Sequence, residues 1–160
     1  MSITKIYLDM DGVLCDFEKK YEELYNESSK ATRERKLFSN NWHDFVNGKN
    51  FEKLNYFPGA LRLMKYVNSL DIPVEILSST ARSEFYDQIS RQKEDWLTKY
   101  GINFPRNFVP GKRFKKQFAT PRSIIIDDTQ SVIDDWKHAG GIGILHKDWP
   151  TTLAILGLYV

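Results

Sequence analysis

The sequence contains only one cysteine, Cys15, in 160 residues. A single thiol cannot form an intrachain disulfide, and with three histidines that lie far apart it cannot supply the ligand set of a zinc site. Scarcity of cysteine is typical of proteins from reducing compartments. We therefore predict a cytoplasmic protein with no metal site built from several cysteines.

Excess charge of one sign and long apolar runs are also lacking. The chain carries 23 Lys and Arg against 21 Asp and Glu, so its net charge of +2 is too small for the whole surface to attract nucleic acid. No apolar stretch approaches the roughly 18 residues of a membrane helix. Carboxylates also follow the start of the chain too closely for an export signal to form. We expect no membrane partner, and nucleic acid is disfavoured as a partner.

What the chain does contain is an alternation of short apolar segments and amphipathic ones. Four segments rich in β-branched and other apolar residues predict buried strands, at residues 3–8, 72–77, 123–126 and 142–145. Apolar residues recur at helical spacing within 83–101 and 129–140. Strands that alternate with amphipathic helices predict an α/β fold, with a Rossmann-like parallel sheet and helices on both faces.

Residues 16–58 interrupt this alternation, because they form a long segment rich in charged and aromatic side chains. We predict that they form a small helical cap inserted after the first strand. No internal repeat or low-complexity linker divides residues 1–160, so we predict one domain that includes the cap. The tail at 151–160 is predicted to be a docking helix.

Two acidic pairs follow predicted strands. Asp9 and Asp11 end the first strand, and Asp127 and Asp128 end the third. Ligands of parallel sheets bind beyond the carboxyl ends of the strands, so the two pairs should face one pocket. Acidic groups this close to one another resist ionising together unless a cation is present. A hard divalent ion such as Mg²⁺, which prefers oxygen ligands, is expected there.

Hydroxyl groups and cations offer partners for a phosphate group. Ser78, Ser79 and Thr80 follow the second predicted strand, near the start of a helix whose N–H groups can also bind phosphate oxygens. Four cationic side chains lie within residues 112–116, just before the third predicted strand. Phosphoryl transfer requires a cation on the transferred group, so these segments together favour phosphate chemistry.

In this order, the motifs resemble those of the haloacid dehalogenase (HAD) superfamily of phosphatases. The four segments are DMDGV at 9–13, the strand ending at Ser78, the lysines at 112–116 and IIIDD at 124–128. DMDGVLCDFE at 9–18 and PGAL at 58–61 are further similar to the 5'(3')-deoxyribonucleotidase branch. The resemblance covers most of the chain and implies the HAD-like fold.

The resemblance also assigns catalytic roles. It implies that Asp9 is the nucleophile that becomes an aspartyl-phosphate, and that Asp11 protonates the leaving group and then activates water. Ser78, with Ser79 beside it, would hold the phosphoryl oxygens. A carboxylate nucleophile divides one difficult displacement into two easier ones, which agrees with these roles.

A lysine should hold the phosphoryl oxygens as well. The family's spacing falls nearest Gln117, which is not a cation, so a neighbouring lysine must serve. We assign this role to Lys116 because it lies closest in sequence to the strand that bears Asp127, with Lys115 and Lys112 as the alternatives.

The resemblance implies a metal set as well. Asp9, the backbone carbonyl of Asp11 and Asp127 would bind Mg²⁺, while Asp128 would orient ligands or water. The ion would neutralise charge that otherwise repels the phosphate dianion.

The implied substrate is a small-molecule nucleotide, a deoxyribonucleoside monophosphate. In the resembling branch, the phenylalanine at the position of Phe17 lines the nucleobase pocket. Trp42 is a second candidate for contact with the base, because aromatic faces stack on bases. Packing within the cap is the favoured role for both Trp42 and Phe45. The base, the sugar, the phosphate position and the formation of a homodimer stay open.

Two alternative functions are also considered. A polynucleotide 3'-phosphatase would share the catalytic motifs, but a cap over the site favours a small molecule. A phosphoaccepting signalling module of the receiver type also uses aspartates and a lysine on a parallel sheet. Receivers, however, place the acidic pair first and the phosphoacceptor later, which is the reverse of the order in this chain.

Overall fold

The computed structural model describes residues 1–160 and contains one five-stranded sheet. The strands are β1 (Lys5–Leu8), β2 (Val74–Ser79), β3 (Arg106–Val109), β4 (Ser123–Asp127) and β5 (Ile142–Leu145). They lie in the order β3-β2-β1-β4-β5, and every neighbouring pair is parallel. The predicted α/β fold with a Rossmann-like parallel sheet is confirmed.

The register of the central strands brings their carboxyl ends level. Leu8 of β1 pairs with Ile76 of β2 on one side and with Ile126 of β4 on the other. The ladder continues for one further hydrogen bond, in which the N–H of Asp9 donates to the carbonyl of Ile126 at 3.0 Å. The residues that follow β1 and β4 therefore emerge at the same edge of the sheet.

Seven α-helices and three short 3₁₀ helices complete the fold. The α-helices are α1 (Phe17–Tyr25), α2 (Ser29–Glu34), α3 (Phe38–Asn47), α4 (Ala60–Ser69), α5 (Tyr86–Lys99), α6 (Gln130–His138) and α7 (Trp149–Leu156). The 3₁₀ helices are Asn50–Lys53, Ser83–Phe85 and Lys112–Phe118. α7, which overlaps the predicted docking helix, packs on α4 and β5. None of the helices combines the length and the apolar character needed to cross a bilayer.

Both faces of the sheet are buried, as side chains that alternate along a strand require. Ile124 and Ile126 belong to a large apolar cluster of 25 buried residues, whereas Ile125 between them belongs to a second cluster of seven. Trp136 of α6 fills the smaller cluster and Trp96 of α5 the larger one. Continuous apolar runs in the strands are thus explained by helices on both faces.

The cap consists of α1, α2, α3 and the 3₁₀ helix Asn50–Lys53, all inserted between β1 and β2. Its two ends meet in a neck of two backbone hydrogen bonds. The N–H of Asp16 donates to the carbonyl of Asn55 at 2.9 Å, and the N–H of Phe57 donates to the carbonyl of Leu14 at 2.8 Å. The insertion therefore leaves the sheet domain and returns to it at one point.

Two strands differ from expectation. β3 was not predicted, because Arg106–Val109 is short and polar and lies at the edge of the sheet, where a strand needs little hydrophobicity. β2 begins two residues later than predicted, after Pro73, and ends at Ser79. Proline has no N–H to donate to a ladder, so the strand starts beyond it. Ser78 and Ser79 thus end the strand rather than follow it.

Candidate active site

Three carboxylates converge where β1 and β4 end. One carboxylate oxygen from each of Asp9, Asp127 and Asp128 lies within 4.8 Å of the others. Asp9 and Asp127 are buried, whereas Asp128 is exposed. The N–H of Thr129 donates to Oδ1 of Asp127 at 2.9 Å and fixes that carboxylate. The level strand ends therefore bring together three of the four predicted acidic residues.

Gly12 makes room for this cluster. Its φ of +80° lies in the left-handed region, which glycine adopts without steric cost. A Cβ at this position would lie 2.0 Å from Oδ2 of Asp128. The glycine of the DMDG motif is therefore needed both for the turn and for the close approach of Asp128.

Lys115 occupies the centre of the cluster. Its Nζ donates to Oδ1 of Asp9 at 2.9 Å and to Oδ2 of Asp127 at 2.7 Å, and the side chain is 2% exposed. Burial disfavours the charge of Lys115, but attraction by Asp9 and Asp127 is stronger and raises the pKa of the ammonium. Lys115 is therefore a permanent cation beside Asp9.

Among the lysines left open for phosphate binding, the structure favours Lys115 over the assigned Lys116. Lys116 is exposed, and it lies on the same 3₁₀ helix, Lys112–Phe118, as Lys115. Successive residues of a 3₁₀ helix point about 120° apart, so only one of two neighbours can face the cluster. Lys112 takes a third position, where its Nζ donates to Oγ1 of Thr129 at 3.0 Å on the rim of the cavity.

The carboxylates raise one another's proton affinity. Desolvation of its carboxylate, which lies against Gly12 although the residue as a whole is exposed, and then the negative charges of Asp9 and Asp127 raise the pKa of Asp128 to about 7. Burial and the charge of Asp9 also raise the pKa of Asp127, against the opposing effect of Lys115. Negative charge on one carboxylate therefore disfavours negative charge on the others, and a cation is the natural partner.

This shift predicts how stability depends on pH when metal is removed. The pKa of Asp128 is about 7 in the fold and near 3.9 in an unfolded chain, so the folded state binds the additional proton between those values. The stabilisation is complete below the unfolded pKa and is lost as the pH rises through about 7. We expect the Tm of EDTA-treated protein to fall from about pH 4 to about pH 7 and to level off above that. Asp128→Asn should flatten this decline, and an equal slope in that variant would contradict the assignment.

Ser78 and Ser79 take different positions. Ser78 is fully buried, and its Oγ accepts a hydrogen bond from Nζ of Lys93 at 2.6 Å. Ser79 lines the cavity, and its Oγ accepts from the N–H of Ala81 at 3.0 Å. Of the two serines, Ser79 therefore faces the cavity, whereas Ser78 is buried behind it.

Asp11 is held apart from the three-carboxylate cluster by a residue that sequence reasoning missed. Nζ of Lys93 donates to Oδ2 of Asp11 at 2.9 Å. A signal was present, since Lys93 lies on the apolar stripe of α5 between Ile89 and Trp96, where a lysine is unexpected. The carboxylate of Asp11 therefore faces Lys93, which leaves only its backbone carbonyl for the predicted metal role.

One cavity of about 300 Å³ joins the carboxylates to the cap. Asp9, Asp11 and Lys115 line one end, and Phe17 and Trp42 of the cap line the other. Other side chains along this cavity, which were not predicted, are those of Asp16, Glu18, Arg33, Phe57 and Ala81. Phe45 is fully buried and packs on Phe17 with ring centroids 5.1 Å apart, so it belongs to the core of the cap.

Comparison with known proteins agrees with this arrangement. Residues 2–151 match the family model of the 5' nucleotidase, deoxy (pyrimidine), cytosolic type C proteins, abbreviated NT5C. The chain belongs to the NT5C family. The HAD resemblance is thereby confirmed at the level of the family.

Individual relatives are more distant. The NT5C-family chain is 26% identical, over an alignment of 185 residues, to (DL)-glycerol-3-phosphatase 1, mitochondrial, from Arabidopsis thaliana. The match covers 87% of this chain but only 62% of that relative's length.

Solved structures share the fold at low identity. A HAD-superfamily hydrolase from Ehrlichia chaffeensis is 12% identical with a TM-score of 0.60, covering 99% of this chain and 98% of its own. A HAD family enzyme from Bacteroides thetaiotaomicron, in complex with magnesium and inorganic phosphate, is 15% identical with a TM-score of 0.52, covering 94% and 98%. These likenesses concern the fold alone.

The donor set of this NT5C-family protein fits a hard cation. Three carboxylates lie within reach of a common point, and carboxylate oxygens are the ligands that Mg²⁺ prefers. The one cysteine, Cys15, is buried, and burial raises the pKa of its thiol, so it offers no thiolate. The carboxylate of Asp128 lies close enough to be a ligand itself, beyond the orienting role predicted for it.

Proposed function

We propose that this protein is a Mg²⁺-dependent nucleotidase that removes phosphate from deoxyribonucleoside monophosphates. The observation that carries this proposal is a single cavity with carboxylates and a buried lysine at one end and aromatic rings at the other. Its volume of about 300 Å³ is at the lower limit of ligand pockets, which suits one small ligand. A phosphate group fits the charged end and a nucleobase fits the aromatic end.

The first chemical step transfers the phosphoryl group to Asp9. A bond forms between a carboxylate oxygen of Asp9 and phosphorus, the ester P–O bond breaks, and Asp11 gives a proton to the leaving oxygen. Lys115, which contacts Asp9 at 2.9 Å, supplies fixed positive charge next to the transferred group. When bound, Mg²⁺ would be held by Asp9, Asp127 and Asp128 and would offset repulsion between these carboxylates and the phosphate dianion.

The second step releases phosphate. Water attacks phosphorus, its proton passes to Asp11, and the bond between phosphorus and Asp9 breaks. Asp11 thereby regains the proton that it gave up, and both carboxyl groups return to their starting state. The two steps explain why one site needs two carboxyl groups in different surroundings. Asp9 is buried and bonded to Lys115, whereas Asp11 is half-buried and bonded to Lys93.

Phe17 carries the proposed preference for nucleotides. It lines the cavity at the start of α1, and its ring stacks on Phe51 with centroids 5.9 Å apart and an interplanar angle of 14°. Trp42 completes the wall, 6.1 Å from Phe17 between centroids. Aromatic stacking on a base contributes about 1–3 kcal/mol, which is enough to separate nucleotides from phosphates that carry no base.

A substrate panel tests this function. We expect kcat/KM for deoxyribonucleoside monophosphates to exceed that for glycerol 3-phosphate, with phosphate release lost in EDTA. Phe17→Ala should lower kcat/KM for the nucleotides by about 10-fold to 100-fold, because the stacking energy is lost. The same variant should leave kcat/KM for p-nitrophenyl phosphate within about twofold, because binding of this substrate depends on the charged end of the cavity.

The same substrate panel includes a control variant and the results that would contradict the proposed function. Phe104→Ala removes a half-buried ring that does not line the cavity, and it should change none of these ratios. Glycerol 3-phosphate as the best substrate would contradict the nucleotide preference. A 3'-phosphorylated oligonucleotide that outperforms every mononucleotide would instead support an end-processing phosphatase.

A further inference from the structure

A second depression, the side groove, opens next to the cavity that joins the carboxylates to the cap. It has a volume of about 580 Å³ and is lined by the loop after β2 and by the start of the 3₁₀ helix Lys112–Phe118. Ala81 and Lys112 line both spaces, so the two adjoin. Nζ of Lys112 donates to Oγ1 of Thr129, whose hydroxyl donates to Oδ1 of Asp128 at 3.2 Å. One hydroxyl group therefore separates the nearest cation of the groove from the carboxylate cluster.

Positive charge dominates the lining of the side groove. Arg82, Lys112 and Arg113 line it, and Glu84 is the one acidic side chain among the lining residues. Arg82 and Glu84 approach each other only to 3.8 Å, and both side chains are more than half exposed. An exposed ion pair of this kind contributes little and leaves the arginine free to bind an anion. The side groove therefore keeps an excess of positive charge.

Backbone geometry and packing hold both arginines at the groove. Ala81 has a φ of +67°, and the N–H of Arg82 donates across it to the carbonyl of Thr80 at 2.8 Å. A three-residue turn with a positive φ at its centre is rare and strained, and strain of this kind is concentrated where proteins hold ligands. The guanidinium carbon of Arg113 lies 4.7 Å from the ring centroid of Phe114, which packs against the smaller apolar cluster. Both cations are therefore attached to fixed parts of the fold.

We propose that the side groove binds a second phosphate group of the substrate, so that nucleoside 3',5'-bisphosphates are preferred over monophosphates. One phosphate lies at Asp9, and the other lies between the guanidinium groups of Arg82 and Arg113. A guanidinium presents paired N–H donors that match two phosphate oxygens. The two arginines bind substrate and take no part in the transfer of the phosphoryl group. The inference extends the proposed function and rests on its phosphoryl transfer to Asp9.

The sizes and the boundary of the two spaces favour this arrangement. The cavity of about 300 Å³ holds one small ligand, so a second phosphate needs room outside it, and the adjoining groove provides that room. Two phosphate groups on one substrate repel each other. The ammonium of Lys112 lies at the boundary between the two spaces and offsets this repulsion.

Steady-state kinetics with Mg²⁺ test the inference on deoxythymidine 3',5'-bisphosphate and on the 3'- and 5'-monophosphates of deoxythymidine. At low ionic strength we expect kcat/KM for release of the first phosphate from the bisphosphate to exceed that for the better monophosphate by about tenfold. This ratio combines the effects of three exposed cations, each of about 1.5-fold to fivefold. Salt at about 0.5 M should lower the ratio, because it screens exposed charges.

Two single variants and a matched control identify the groove. Arg82→Gln and Arg113→Gln should each lower the ratio by about 1.5-fold to fivefold and leave kcat/KM for the monophosphates within about twofold. The double variant should bring the ratio to within about twofold of one. Arg91→Gln removes the same charge from an exposed position on α5 that does not line the groove, and it should leave the ratio unchanged.

The contrary results separate the inference from the proposed function. Equal kcat/KM for bisphosphate and monophosphate, or a ratio that both groove variants leave unchanged, overturns the inference alone. A phosphorylated oligonucleotide that outperforms the bisphosphate would assign the groove to a nucleic-acid strand and would also overturn it. Failure to cleave any of these nucleotides would contradict the proposed function, and the inference with it.

Discussion

Asp9→Asn should lower kcat by about 10⁴-fold or more, whatever phosphomonoester is offered. An amide cannot form the acyl-phosphate bond, so the two-step route is closed. The variant should still fold, because Asn has the shape of Asp and its carbonyl oxygen can accept from Lys115, which also keeps its bond of 2.7 Å to Asp127. Phosphate release at saturating substrate, together with the Tm, measures both parts of this expectation.

An exposed carboxylate provides the matched control. Asp135 lies on the solvent side of α6, and Asp135→Asn should leave kcat within about twofold. If Asp9→Asn kept a rate within about tenfold of the parent protein, another group would have to be the nucleophile.

Lys115→Met should also be strongly damaging. We expect kcat/KM to fall by about 10²-fold to 10³-fold, since the fixed cation beside Asp9 is lost from the reacting group. Removing one partner from a buried charge network also leaves Asp9 and Asp127 repelling each other. The free energy of unfolding of the metal-free protein should therefore fall by about 3–5 kcal/mol. Denaturant titrations with and without Mg²⁺ would separate the two effects, because added Mg²⁺ should restore stability more than activity.

Lys116→Met tests the choice between Lys115 and Lys116. Lys116 is exposed, so its loss should change kcat/KM by no more than about twofold and stability by no more than about 0.5 kcal/mol. The opposite pattern, with Lys116→Met damaging and Lys115→Met silent, would reject the geometry of the 3₁₀ helix Lys112–Phe118.

Prediction from the sequence succeeded where one local pattern determines structure. The apolar runs before Asp9 and before Asp127 identified β1 and β4, and the rule that ligands bind at the carboxyl ends of parallel strands brought those carboxylates together. β5 was predicted with its observed bounds of Ile142–Leu145. Edge strand β3 was not predicted, because its pairing with β2 depends on backbone hydrogen bonds rather than on an apolar pattern.

The lysines of the site could not be assigned in the same way. Lys115 and Lys116 are adjacent and chemically identical, and only the pitch of the 3₁₀ helix decides which one is buried. Lys93 is distant in sequence from every motif, and its contact with Asp11 spans 82 residues. Such contacts depend on how α5 packs against the sheet, which no short segment of the sequence encodes.

The neck at the base of the cap makes the insertion an exchangeable module. Two hydrogen bonds, of 2.9 Å and 2.8 Å, hold the two ends of the cap together. The entropy of closing a loop grows slowly, by about 0.6 kcal/mol for each doubling of its length. Segments of other lengths can therefore be inserted within the cap without moving the strand ends, provided that Asn50–Lys53 keeps its packing on α5. The substrates that proteins of this fold accept can then change through insertions and deletions in the cap, while the aspartates at the strand ends stay unaltered.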